Sequence, residues 1–149
     1  MTRTLVLALV LVAVARPALA CRRDEISLAQ AFTLADAVFV GRVVAVRKTP
    51  VDAARCAKHP AWCVYEYTAE VAVEGVWKGT PPARVDVFAG SGRGDCSFGR
   101  LDADRRYLFM ASAPKPGTLV LEIGRGTARA TPAQLARVST RFGAPTPPR

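Results

Sequence analysis

From Val64 to Trp77 the chain alternates with a period of two for longer than anywhere else, and a strand of that length constrains the fold most. Tyr65, Tyr67, Ala69, Val71 and Val73 fall on one face, and Glu66, Thr68, Glu70 and Glu74 on the other. In a small domain such a strand bends around a barrel and serves two regions of sheet. Upstream, Ala37 to Arg47 reads as a second strand. Val38, Val40, Val44 and Val46 share one face with Arg42, while Phe39, Val43 and Ala45 share the other, so both faces are largely apolar. Gly41 in the middle predicts a bulge or tight bend. Thr49 to Trp62 holds Pro50, Pro60 and Cys56, with Cys63 just beyond it, shows no periodicity, and reads as an insertion within a hairpin.

Shorter strands are expected at Arg84 to Phe88, Arg106 to Ser112 and Thr118 to Ile123. Turns at Lys78 to Pro82 and Pro114 to Gly117, and a glycine-rich loop from Ala89 to Arg100, separate them. Ser27-Leu28-Ala29-Gln30 is a capping box that opens a helix running to about Asp36. Thr131-Pro132 opens a second, carrying Leu135, Val138 and Phe142 and stopping at Gly143. Five strands with a short helix at each end predict a mainly β protein. The expected architecture is a five-stranded Greek-key barrel of the OB type.

The first 20 residues read as an export signal. Arg3 precedes an apolar run from Leu5 to Ala15, and Ala18-Leu19-Ala20 supplies small residues before a cut at Cys21. The run is too short for a membrane-spanning helix of roughly 20 residues, and Arg16 and Pro17 interrupt it. The expected organisation is a signal at 1–20, one domain at 21–143 and a disordered proline-rich tail at 144–149. Removing the signal from 149 residues leaves 129, enough for one domain with a real core. The net charge of +9, less Arg3 and Arg16, becomes +7, which favours anionic surfaces. Because these charges are dispersed, they read as composition rather than a dedicated polyanion site.

All four cysteines follow the cut: Cys21, Cys56, Cys63 and Cys96. In an exported domain an even number reads as disulfides, here two with three possible pairings. Spacing favours Cys56 with Cys63, closing a short loop, and Cys21 with Cys96, tying the new N-terminus to a late loop. On the chain-entropy view these contribute about 2.5 and about 4 to 4.5 kcal/mol.

Taken together, Ala31 to Val43 (Ala-Phe-x-x-Ala-Asp-Ala-Val-Phe-Val-Gly-Arg-Val), Tyr67 to Gly79 (ending Val-Trp-Lys-Gly), Cys96 and Arg106-Tyr107-Leu108-Phe109 resemble a known family. Their order and spacing are similar to the netrin-like domain of the tissue inhibitors of metalloproteinases, particularly its bacterial relatives. The resemblance implies an OB-fold and a bridge from the first cysteine to one after the glycine-rich loop, which Cys21 and Cys96 fit. It also implies that the α-amine and carbonyl of Cys21 chelate the zinc of a target protease, with Arg22 entering the pocket beside it. The chain departs from the family pattern in three places. Arg23 stands where inhibitors have a second cysteine, Gly124 where that cysteine has its mate, and Arg22 where they carry a small or hydroxylated residue. Cys56 and Cys63 have no family counterpart.

Other readings compete for the same residues. Ala18-Leu19-Ala20-Cys21 partly fits a lipobox, which would make the protein a cell-envelope lipoprotein. Cys56-x-x-His59-x-x-x-Cys63 has ligand-like spacing, but three ligands in an oxidising compartment favour a disulfide over zinc. Arg93-Gly94-Asp95 is the integrin tripeptide and reads as an ordinary polar turn. Glu66, Glu70 and Glu74 read as a solvated strand face. One histidine and no Gly-x-Ser-x-Gly, Walker or His-Glu-x-x-His pattern predict no catalysis, no cofactor and no resident metal. The expected protein is a secreted, periplasmic or cell-envelope monomer without a transmembrane segment. It is expected to bind a metalloprotease or another extracellular protein rather than nucleic acid. A structural or polyanion-binding module is the alternative.

Overall fold

The computed structural model describes residues 26–93 and 96–149. Helix α1 (Leu28–Leu34) leads into β1 (Ala37–Pro50). A short helix α2 (Ala53–Lys58) and a 3-10 turn (Pro60–Trp62) then connect to β2 (Tyr65–Lys78). Strands β3 (Arg84–Gly90), β4 (Arg106–Lys115), β5 (Thr118–Val120) and β6 (Ala128–Arg129) follow, and helix α3 (Pro132–Phe142) ends the chain's regular structure. The strand order β1-β2-β3-β5-β4 closes on itself, because β1 also pairs with β4 from Ala37 to Arg42. All pairings are antiparallel except β3 with β5. This is the expected mainly β, OB-like closed five-stranded barrel; β6, a two-residue addition to β4, was not expected.

Strand alternation explains how β1 and β4 can be apolar on both faces. Phe39, Tyr107 and Phe109 point into the barrel with Val43, Val71, Val87, Leu101 and Leu121. The Phe39 and Phe109 rings, on paired residues, stack at 4.8 Å. Their neighbours Val38, Leu108 and Met110 point outward and are covered by the helices through Ala31, Ala35 and Val138. Phe32 of α1 stacks on Phe142 of α3 at 3.7 Å, and Lys78 donates to the Phe32 and Thr33 carbonyls at the end of α1. Both expected capping boxes form, Ser27 with Gln30 and Thr131 with Gln134.

Three unpaired residues set the curvature of the β1–β2 ribbon. Val44, Glu74 and Trp77 have no cross-strand partner while their neighbours do, so each is a bulge that bends and twists the ribbon. Gly41 sits beside one of them. A Cβ there would lie 2.6 Å from Val71 Cγ1 and 2.7 Å from the Ala72 carbonyl oxygen, so only glycine permits this approach. The Val44 bulge also corrects the expected face assignment. Val46 packs against the barrel core with Val43, whereas Val44 is exposed.

Other boundaries shift for identifiable reasons. The insertion at 49–62 is helical rather than irregular, with Asp52 capping α2 through the Arg55 amide. Strand β4 runs on through Pro114 and Lys115 to pair with Thr118, leaving a tighter turn than expected. Residues 144–149 are not a disordered tail throughout. Val76 and Thr146 exchange two backbone hydrogen bonds of 2.8 Å, and Trp77 Nε1 donates to the Gly143 carbonyl. β3 stops pairing with β2 before Val76, so the tail satisfies backbone groups that burial would otherwise leave unpaired.

On β2, Ala69, Val71 and Val73 are buried as expected. Tyr65 and Tyr67 are only half-buried, and of the three glutamates only Glu74 is fully exposed. Val71→Asp should abolish cooperative unfolding in thermal circular dichroism, because an unpaired charge in the core outweighs a domain's stability of roughly 5 to 15 kcal/mol. Phe109→Ala should cost about 3 to 5 kcal/mol. Glu70→Gln, which breaks only an exposed pair with Arg84, should cost under about 1 kcal/mol.

Candidate functional site

The residues expected to act, Cys21 and Arg22, lie outside the described residues, as do the signal and the Gly94-Asp95 half of the integrin tripeptide. Cys96 is described. It is disulfide-bonded, and its expected mate Cys21 is outside the described part. The loop that carries it is braced from several sides. Gly99 donates to the Ala89 carbonyl, Phe98 to the Leu121 carbonyl, and Ile123 to the Cys96 carbonyl itself at 2.9 Å. Ser97 pairs with Glu122 as an isolated bridge, is buried, and accepts the Gly92 amide at Oγ. Cys96 has a φ of 56°, left-handed for a residue with a Cβ, so the surrounding bonds must hold it there.

Farther along, the same loop is pinned to the barrel floor. Leu101 is buried in the core. Asp102 accepts from Tyr107 Oη and from Arg129, and its own amide donates back to Tyr107 Oη. The Arg129 hydrogen bond, with help from Tyr107, holds the Asp102 carboxyl below its ordinary value of 3.8, and Arg129 is correspondingly raised. This cluster joins a late loop to β4 and β6. Sequence reasoning missed it because Arg129 lies 27 residues beyond Asp102 and only the fold brings the two together.

Topology places a second feature at this end of the barrel. β2 begins where β3 ends, at the Tyr67–Gly90 pair. The tip joining β1 to β2 and the loop bearing Cys96 therefore leave the barrel from the same end. Cys56 and Cys63 are bonded to each other across the tip, with Cα atoms 4.7 Å apart, which settles the disulfide reading over zinc for this pair. His59 lies against Trp62, with ring centroids 6.3 Å apart. Trp62 is 70% exposed and Val51 56%. A tryptophan between two cysteines in a segment without periodicity was the available signal for this surface, and the sequence reading passed over it.

At the opposite end, where β3 and β5 begin, the proline-lined turns around Pro81, Pro82, Pro114 and Pro116 enclose a cleft of about 500 Å³ over Val85 and Leu119. On the barrel wall two of the three glutamates expected to be solvated, Glu70 and Glu74, are paired. Glu70 meets Arg84 at 2.8 Å, and Glu74 meets Arg106 at 2.7 Å with Arg42 beyond at 3.7 Å. Among the described residues no group of three or more His, Cys, Asp or Glu side chains is placed to hold a metal, and no helix is long and apolar enough to cross a membrane. Compared with known proteins, the chain matches no family model and no curated protein.

Asp102 supplies a pH test. Its carboxyl is depressed in the folded state, so its contribution is complete above the ordinary value near 3.8 and is lost as pH falls through the lower folded value. Asp102→Asn should therefore lower the urea midpoint at neutral pH, and the gap from the native protein should narrow below pH 3.8. A gap of constant size across that range would show that ionisation of Asp102 contributes nothing.

Proposed function

We propose that the protein is an exported binding module of the netrin-like kind. On this reading it acts by contact with another protein, presenting Cys21 as a zinc-directed ligand at the barrel rim. The observation that carries this reading is Cys96, disulfide-bonded on a loop braced by backbone bonds to Leu121 and Ile123. Cys56 and Cys63 use each other, so Cys21 is the cysteine left to bond Cys96. A Cys21 held in that way has a fixed α-amine and carbonyl, a preorganised bidentate ligand for the open position of a catalytic zinc. An α-amine titrates near 7.7 to 8.0, so giving up its proton to a metal costs little.

The same bond opposes the lipoprotein reading, since a thiol in a disulfide cannot carry a lipid. The OB-like barrel supports the proposal as a scaffold, and the local disulfide is in keeping with export to a secreted or cell-envelope location. Arg22 is the residue that narrows the target. Its guanidinium would have to enter the pocket beside the zinc, so a target with an acidic or open pocket mouth is favoured.

Protein beginning at Cys21 should inhibit a member of a metalloprotease panel. One alanine added before Cys21 turns the amine into an amide and should weaken inhibition about tenfold to a hundredfold, the scale of losing one strong polar donor. Arg22→Thr should strengthen inhibition of targets with small pockets. Equal potency of the native and extended forms, or inertness of both across the panel, would reject the zinc role.

A further inference from the structure

The stapled tip between β1 and β2 has chemistry that the barrel does not need. Every residue from Val51 to Trp62 is exposed except Cys56, which is half-buried. The apolar ones (Val51, Ala53, Ala54, Ala57, Ala61 and Trp62) are crowded into one short segment whose fold the Cys56–Cys63 bond holds. Exposed apolar groups scattered singly need no explanation, but this many on one stapled tip, a large aromatic among them, do.

The charges follow the same pattern. Arg55 and Lys58 project from α2 and make no ion pair among the described residues. The one carboxylate in the segment, on Asp52, is exposed and caps α2 by accepting the Arg55 amide, so the two cations outnumber it. Just below, Lys48 Nζ sits 3.6 Å over the Tyr65 ring, so a cation and a second aromatic form the base of the tip.

We propose that this tip is a docking element for an anionic lipid surface, entering the headgroup layer through Trp62 and Val51 while Arg55 and Lys58 meet lipid phosphates. The choice of occupant rests on shape and charge. Four of the six exposed apolar residues are alanines, which offer little relief for a protein pocket to grip. A lipid interface needs only depth, and tryptophan is the side chain that settles there. Two cations outside any ion pair among the described residues, on a mature chain whose expected net charge is +9 less Arg3 and Arg16, suit a diffuse negative surface. The Cys96 loop leaves the barrel from the same end, so docking would hold that rim close to the bilayer.

The test uses mature full-length protein whose intact mass excludes an acyl group. Binding is measured by co-sedimentation with vesicles of mixed phosphatidylcholine and phosphatidylglycerol, with pure phosphatidylcholine as control. Binding is expected to the mixed vesicles alone, with a blue shift of tryptophan emission that Trp62→Ala removes. Trp62→Ala should weaken binding at least about tenfold, the scale of one large apolar side chain. Arg55→Ala and Lys58→Ala should each weaken it about fivefold, and about 1 M salt should suppress it. All three side chains are exposed, so unchanged thermal midpoints keep the comparison clean. The alanine-extended protein should bind vesicles as the native form does, which separates this inference from the role proposed for Cys21. No binding to the mixed vesicles, or binding that survives Trp62→Ala, would overturn it. So would a Trp62→Ala defect seen only against a protease.

Discussion

The structure depends on β1 pairing with two strands at once. Between Ala37 and Arg42 its backbone is bonded to β2 on one side and β4 on the other, and that double pairing closes the barrel. A straight strand could not do this. The ribbon must coil, and the bulges at Val44, Glu74 and Trp77 with the close approach at Gly41 supply the coil. Closure then dictates composition. A strand inside a closed barrel and beneath two helices is buried on both faces, so Phe39 and Val38 are both fully buried though they point in opposite directions.

Closure also determines where chemistry can go. A barrel packed with Phe39, Phe109 and Leu101 is filled by its own side chains, which turns attention to the loops at its ends. The two ends differ. One carries proline-lined turns that hold their shape by restricted φ. The other carries the Cys96 loop and the β1–β2 tip, each held by a covalent bond. A disulfide on a loop limits the states it loses on binding, which is where rigid loops gain affinity. Two such loops at one end are the reason both proposals are placed there.

Much of this was legible in the chain. The alternation around Val71, the capping boxes at Ser27 and Thr131 and the stop at Gly143 are local signals, and local signals survive folding. What escaped was non-local. A bulge changes which face a side chain takes without changing the apolar pattern, so Val46 read as facing away from the core it packs against. β6 has only two residues and exists because Tyr107 and Leu108 offer it a partner. The tail reads as polar and proline-rich, yet Thr146 pairs with the stretch of β2 that β3, starting at Arg84 opposite Ala72, leaves free. At the candidate site, Cys96 was legible as a cysteine in a glycine-rich loop, whereas the bracing from Leu121 and Ile123 that fixes it was not.

The placement of the carboxylates explains why the barrel wall of a basic chain carries little net charge. On the barrel wall Glu70, Glu74 and Asp86 each face at least one arginine, and Asp102 and Glu122 do the same around the late loops. At roughly physiological salt, charges screen one another beyond about 8 Å, so a wall of alternating sign presents little net field. The tip lies outside that compensation. Its single carboxylate caps α2 and is in no ion pair among the described residues, and Arg55 and Lys58, which outnumber it, lie in the same segment as an exposed tryptophan. The basic surplus therefore lies off the wall, on exposed cations outside these ion pairs, among them Arg55 and Lys58 at the tip and Arg100, Arg105, Lys115, Arg137 and Arg141 elsewhere. Composition alone could not distinguish the two, because it counts charges and not the partners the fold assigns them.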